Sequence, residues 1–248
     1  MRRLPALLFG AFSTLFFVQC NPEAPSEQGE MQVSSAAVAV DTSVRASLFV
    51  DPHSYSTAQA KVVALDWDAE VDFEQEVILA TAHWTLAENH SDTVIFDSKA
   101  LDIKEVRVDG SVTNFNLSTP DELLGSSLTV AAGAGAKVIS IDYQTTSGAE
   151  ALQWYPRELT EGGRQPFLFT QSQAILARTW IPCQDRPGVR FTYTATVKVP
   201  KETLALMSAS NPSTKNETGV YEFSMPQPIP SYLLALGVGD LEFIPLGD

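Results

Sequence analysis

The chain has 248 residues, 44% of them hydrophobic, which is enough apolar material for a buried core and excludes a wholly disordered tail. Its formal net charge of −14 disfavours a phosphate backbone as partner, since nucleic-acid binders gather Lys and Arg on one face, so no nucleic acid is expected. One of the two cysteines, Cys20, lies in the leader described next, so the remainder, which keeps only Cys183, cannot close an internal disulfide and must depend on packing.

Met1-Arg2-Arg3 followed by the uncharged, apolar Leu4 to Val18 predicts a secretory signal over residues 1–20, too short to span a membrane. The protein is therefore expected to be exported, periplasmic or held at a membrane. Cys20 stands directly after the apolar stretch, where bacterial lipoproteins are cleaved and acylated, and is the expected lipidation site and membrane anchor. Phe17 and Gln19 depart from the leucine-and-small pattern of such sites, which leaves an uncleaved or conventionally cleaved signal as the alternative. Residues 21–46, opening Asn21-Pro22-Glu23-Ala24-Pro25-Ser26, read as a flexible tether, and residues 47–248 as one domain.

After Asp51-Pro52 come short runs rich in Val, Ile, Thr and aromatics, broken by Gly, Asn, Asp or Pro, a spacing that predicts antiparallel β-structure. The predicted strands are Ala60–Asp68, Glu76–Leu86, Thr93–Phe96, Ile103–Val108, Ser126–Val130 and Lys137–Tyr143. They continue with Phe167–Gln173, Arg190–Val199, Ala205–Ser210, Gly219–Met225 and Tyr232–Phe243. Asp109-Gly110 is a hairpin turn. No helical period of useful length is present, so the fold class is all-β, sheet on sheet.

Few groups have the pattern that chemistry demands. His53, His83 and His90 lack the four-residue spacing on which two imidazoles share a metal, and they read as surface or packing side chains. The glycine pairs Gly133-Ala134-Gly135 and Gly237-Val238-Gly239 hold no nucleophilic serine and read as a turn and a tight strand. Cys183, between Pro182 and Gln184, has no histidine near it and reads as a small buried hydrophobe. In Phe167-Leu168-Phe169-Thr170-Gln171-Ser172-Gln173-Ala174, strand alternation places Phe167, Phe169, Gln171 and Gln173 on one face. A carboxamide can accept from an ammonium and donate to a carbonyl, so this face can hold the free amino end of a peptide. On spacing alone, the same glutamines read more readily as the solvent side of a strand.

Ala151-Leu152-Gln153-Trp154, Phe169 to Ala174, Pro182-Cys183-Gln184-Asp185 and Pro230-Ser231-Tyr232-Leu233-Leu234-Ala235-Leu236-Gly237-Val238-Gly239 together resemble the aminopeptidase N superfamily, peptidase family M1, in its leukotriene A-4 hydrolase branch. The resemblance runs in order from Asp51 onward. It implies a large saddle-shaped β domain that packs on a thermolysin-like zinc domain and closes one side of the substrate cavity. It also implies substrate-binding roles for Gln171, Gln173 and Ala174. Gln173 would stand where the related branch has a glutamate for the substrate's α-ammonium, and Gln171 and Ala174 would line the pocket for the first side chain. An uncharged amide keeps the acceptor but weakens the attraction, so amine recognition must lean on another carboxylate.

The Gly-x-Met-Glu-Asn and His-Glu-x-x-His motifs of that family are absent from these residues, so this chain is expected to hold no metal and no catalytic residue, with zinc belonging to a missing catalytic domain. The expected function is the substrate-side domain of an exported zinc aminopeptidase, truncated before the zinc domain and inert alone. The competing reading is a free-standing, lipid-anchored module that binds peptides without cleaving them.

Overall fold

The computed structural model describes residues 51–56, 61–88 and 90–246. The leader with Cys20, the tether over 21–46 and the first residues assigned to the domain lie outside the described residues. Within them the regular elements are β-strands and single 3-10 turns.

In chain order the strands are β1 (Val62–Asp72), β2 (Val77–Leu86), β3 (Thr93–Ser98), β4 (Leu101–Val108), β5 (Ser111–Val112), β6 (Phe115–Leu117) and β7 (Ser126–Ala131). They continue as β8 (Val138–Thr145), β9 (Leu152–Tyr155), β10 (Phe167–Thr170), β11 (Arg190–Lys198), β12 (Leu204–Met207), β13 (Val220–Pro230) and β14 (Leu236–Gly239). They form a seven-stranded sheet in the order β13-β11-β1-β2-β8-β4-β5, a four-stranded sheet β12-β14-β10-β9 and a three-stranded sheet β3-β7-β6. The expected all-β architecture is present. One pairing departs from the antiparallel expectation: β1 and β11 run parallel, because the chain crosses through the other two sheets before returning.

Alternation explains the large sheet. On β1, Leu65, Trp67, Ala69 and Val71 point inward while Asp66, Asp68 and Glu70 face solvent, and β11 repeats this with Phe191, Tyr193, Ala195 and Val197 buried. One continuous core draws on all three sheets: Trp67, Trp84 and Phe191 from the first, Leu168, Ala205 and Val238 from the second, Phe96, Leu128 and Val130 from the third. Trp84 meets Phe191 edge to face at 4.9 Å, a favoured geometry for aromatic pairs.

The β4–β5 hairpin turns at Asp109-Gly110 as expected. Both residues have positive φ, 48° and 82°, which is the left-handed pair that a two-residue turn needs and that glycine adopts freely. The Asp109 carboxylate accepts the backbone N–H groups of Lys137 and Val138 and so fastens the turn to β8.

Other strand limits shift. The strand expected to end at Met225 runs on as β13 to Pro230, through Pro226 and Pro228; these prolines are tolerated because β13 is a sheet edge and lacks a partner on its outer side. The strand expected from Tyr232 starts only at Leu236, since Ser231–Leu233 is a 3-10 turn. β9, too short to announce itself by alternation, was not expected as a strand, and it pairs with β10 from Leu152 against Thr170 to Tyr155 against Phe167.

Candidate functional site

The segment expected as one strand from Phe167 to Gln173 divides. β10 ends at Thr170. The ladder continues for one more bond, Gln171 N–H to the Ala151 carbonyl at 2.9 Å, so Gln171 stays on the face of Phe167 and Phe169. Gln173 does not follow that alternation. The Ser172 carbonyl accepts the Leu176 N–H at 2.9 Å, so the chain turns over 173–176 before a 3-10 turn at Ala177–Thr179. The Gln173-Ala174 peptide bond is cis. The structure thus brings Gln171, Gln173 and Ala174 together on the surface, all exposed, but at a turn rather than along a strand.

The turn is pinned from beneath. Ser172, between two exposed glutamines, is buried; its hydroxyl donates to the Leu234 carbonyl at 2.8 Å and accepts from the Trp180 indole N–H at 3.1 Å. Trp180 packs edge to face on Trp67 at 5.4 Å, and the Tyr143 hydroxyl ties the pair, accepting from the Trp67 indole at 2.9 Å and donating to the Trp180 carbonyl at 2.8 Å. Burial drives the Tyr143 phenol far above its ordinary value, so it remains a neutral donor. Above this base, the Gln171 carboxamide oxygen accepts the Gln173 backbone N–H at 3.0 Å. One amide is thereby oriented by its neighbour, while its NH2 and the whole Gln173 side chain face solvent.

Directly after the turn, Arg178 is fully buried. Its Nε donates to Asp185 Oδ2 at 3.1 Å, Nη1 to the Leu124 carbonyl at 3.0 Å, and Nη2 to the carbonyls of His53 at 2.6 Å and Asp185 at 3.1 Å. Asp97 lies 3.8 Å away and accepts from Tyr55 N–H, Ser54 Oγ and Asp185 N–H. Ser231 Oγ donates to the other Asp185 oxygen at 2.6 Å. Burial pushes the Asp185 carboxyl above its ordinary value, against the opposing pull of Ser231 and Arg178. The Pro182-Cys183-Gln184-Asp185 motif is therefore a structural staple: Cys183 bridges to Asp97 of β3, and the Gln184 side chain accepts from Val62 N–H and donates to the Ile95 carbonyl.

On the other side of Gln171, the same sheet face carries an aromatic ladder. Tyr155 of β9 stacks on Phe169 at 5.9 Å, and Phe169 on Phe167 at 5.8 Å. Gly239 on β14 makes room for it, since a Cβ there would lie 2.8 Å from the Phe167 ring. The ladder forms one wall of an open cleft of about 910 Å³.

The remaining polar candidates do not converge. His53 is exposed beside Asp51, His83 bonds Ser140 Oγ at 2.8 Å, and His90 is held between the carbonyls of Ser91 and Ala136. Cys183 is buried, and burial pushes its thiol well above the ordinary value. Among the described residues no three His, Cys, Asp or Glu side chains converge on a point that could hold a metal ion, so the residues present do not fit zinc.

Sequence reasoning found the glutamines but missed Ser172, Arg178, Asp97 and Tyr155. A cation in the apolar run Ile175-Leu176-Ala177-Arg178-Thr179-Trp180 was the available signal for the buried pair. Nothing local to Tyr155 announces the ladder, which depends on β9 meeting β10.

The family model of the peptidase M1 N-terminal domain matches residues 51–233. The chain is 38% identical over 205 residues to leukotriene A-4 hydrolase of Xenopus laevis, covering 77% of this chain and 34% of that protein. It is 34% identical over 193 residues to leucine aminopeptidase 2 of Saccharomyces cerevisiae, covering 75% of this chain and 28% of that protein. The solved structure of yeast LTA4 hydrolase in complex with bestatin superposes with a TM-score of 0.73 at 33% identity, covering 80% of this chain and 32% of that chain. An M1 zinc metallopeptidase of Deinococcus radiodurans, at 17% identity and TM-score 0.57, shares the fold over 74% of this chain and 43% of its own. The chain spans about a third of the length of the curated relatives it matches.

Proposed function

The chain belongs to the peptidase M1 N-terminal domain family, and from that premise we propose that it is the substrate-side domain of an exported zinc aminopeptidase that removes residues from peptide amino ends. The supporting observation is the turn itself. Gln171, Gln173 and Ala174 are exposed together on a segment pinned by Ser172 and Trp180, so the Gln171 carboxamide is presented in a set orientation with the Gln173 carboxamide exposed two residues on. A pre-set acceptor loses little side-chain entropy on meeting an ammonium group, which favours it as a recognition element. Zinc and the groups that act on the scissile bond belong, in this reading, to sequence beyond these 248 residues; this chain recognises and does not cleave.

Calorimetric titration of the purified chain with a free tripeptide and with its N-acetylated twin tests the reading. The free peptide should bind more tightly, and Gln173→Ala should erase the difference; twins that bind alike to the parent chain would refute it. Supplied with zinc and an amino-acid anilide, the chain should show no turnover above background, and turnover lost in Gln173→Ala would mean that catalytic groups reside here after all. Export through a lipid anchor is part of the same proposal. Acyl labelling should mark the parent chain and not Cys20→Ser; equal labelling removes the anchor.

A further inference from the structure

The aromatic ladder and Gln171 occupy one face of one hairpin. Phe169 and Phe167 lie two and four residues before Gln171 on β10, and Tyr155 is paired across from Phe167. In extended chain, same-face side chains recur about every 6.6 Å, so the rings stand about one and two such steps from Gln171. A peptide whose amino end meets Gln171 and Gln173, and which runs along β10, presents its third and fifth side chains at the same two steps.

The rings are unlike ordinary surface residues. Tyr155 is 38% exposed and the two phenylalanines half-buried, and Phe169 stacks on both Tyr155 and Phe167, which meet each other at a tilt, instead of turning into the core. They wall a concave cleft, not a flat patch, of a size that takes a few side chains. The charge around it is uneven. Asp240 holds Arg164 at 2.6 Å and also Lys215, whereas Glu161 and Glu242, which line the same cleft, form no ion pair among the described residues. Two cations, Arg164 and Lys215, face three carboxylates, Asp240, Glu161 and Glu242, so the balance is one negative charge, which favours a cationic residue next to the apolar ones.

We infer that this stripe is a second recognition site, receiving peptides with aromatic or large apolar residues at the third and fifth positions and a basic residue beyond them. The inference rests on the reading of Gln171 and Gln173 as the amino-end site, which sets the register. It assigns the domain a part in choosing substrates by residues well removed from the bond to be cut.

Calorimetry on the 248-residue chain with Ala-Gly-Phe-Gly-Phe-Lys-amide tests it, against the same peptide with serine at the third and fifth positions and against the N-acetylated form. The serine peptide should bind about tenfold more weakly, as expected from losing two aromatic contacts. Tyr155→Ser and Phe169→Ser in the protein should each weaken the aromatic peptide and leave the serine peptide unchanged, with circular dichroism confirming the fold. No binding by the parent chain, or equal affinity for the two peptides, overturns the inference. So does a Tyr155→Ser effect confined to self-association or to docking of another protein domain. Should preference for the aromatic peptide survive while N-acetylation costs nothing, the stripe stands and the amino-end assignment falls.

Discussion

Replacing Arg178 by Met removes the cation from a wholly buried cluster while keeping much of its volume. Four hydrogen bonds from the guanidinium disappear, and the carbonyls of Leu124 and His53 lose a donor. Asp97 retains three donors, but Asp185 is left with Ser231 Oγ and the backbone N–H at position 178. Removing one partner of a buried ion pair costs about 3–5 kcal/mol, because the other charge stays behind uncompensated. That is a large share of a domain's stability, and it should lower the melting temperature by on the order of 10 °C. The sign of the pH dependence follows from Asp185. Burial holds its carboxyl above the ordinary value of 3.8, so the folded state binds that proton more tightly than the unfolded chain. The associated stability is present below the ordinary value and is lost as pH rises through the folded one. Without Arg178 the folded value rises further and the window extends upward, so the deficit of the variant should be largest near pH 7 and shrink toward pH 5. Urea unfolding followed by tryptophan fluorescence at both pH values measures this. A loss below about 1 kcal/mol, the range of a surface pair, or a loss identical at the two pH values, would refute the account.

Ser172→Ala should destabilise by about 1–3 kcal/mol in the same unfolding assay, since it leaves the buried Trp180 indole N–H and the Leu234 carbonyl without their shared partner. The two glycines should respond differently to alanine. Gly110→Ala meets open space and should cost only the left-handed backbone strain, roughly 1–2 kcal/mol, whereas Gly239→Ala pushes on Phe167 and should also change the tyrosine and phenylalanine near-ultraviolet dichroism of the ladder. In a Cys20→Ser background, Cys183 should resist thiol reagents until the chain unfolds, and modification at a rate independent of added urea would contradict its burial.

How much was legible depended on the range of the interaction. Runs rich in Val, Ile, Thr and aromatics between turn residues marked β1, β2, β8 and β11, and Asp109-Gly110 marked its hairpin because two positive φ angles restrict the residues that can sit there. Strand alternation, applied from Phe167 onward, misplaced Gln173. It carries no information about where a strand stops, and here the stop comes from hydrogen bonds made by Ser172 and Leu176. β13 was cut short for a related reason, because prolines forbid a central strand and not an edge, and edges are known only once the sheet is assembled.

By itself, the sequence determined an all-β chain, a family likeness and the identity of two carboxamides able to meet an ammonium group, since these depend on residue type and short spacing. Only the tertiary structure decided that β1 and β11 run parallel, that Arg178 joins Asp97 and Asp185 in the interior, and that Tyr155 completes an aromatic track leading to Gln171. Each of these joins residues far apart along the chain or on separate strands. Such contacts form only when the whole core closes, so a local pattern can flag a buried cation such as Arg178 but does not name its partners.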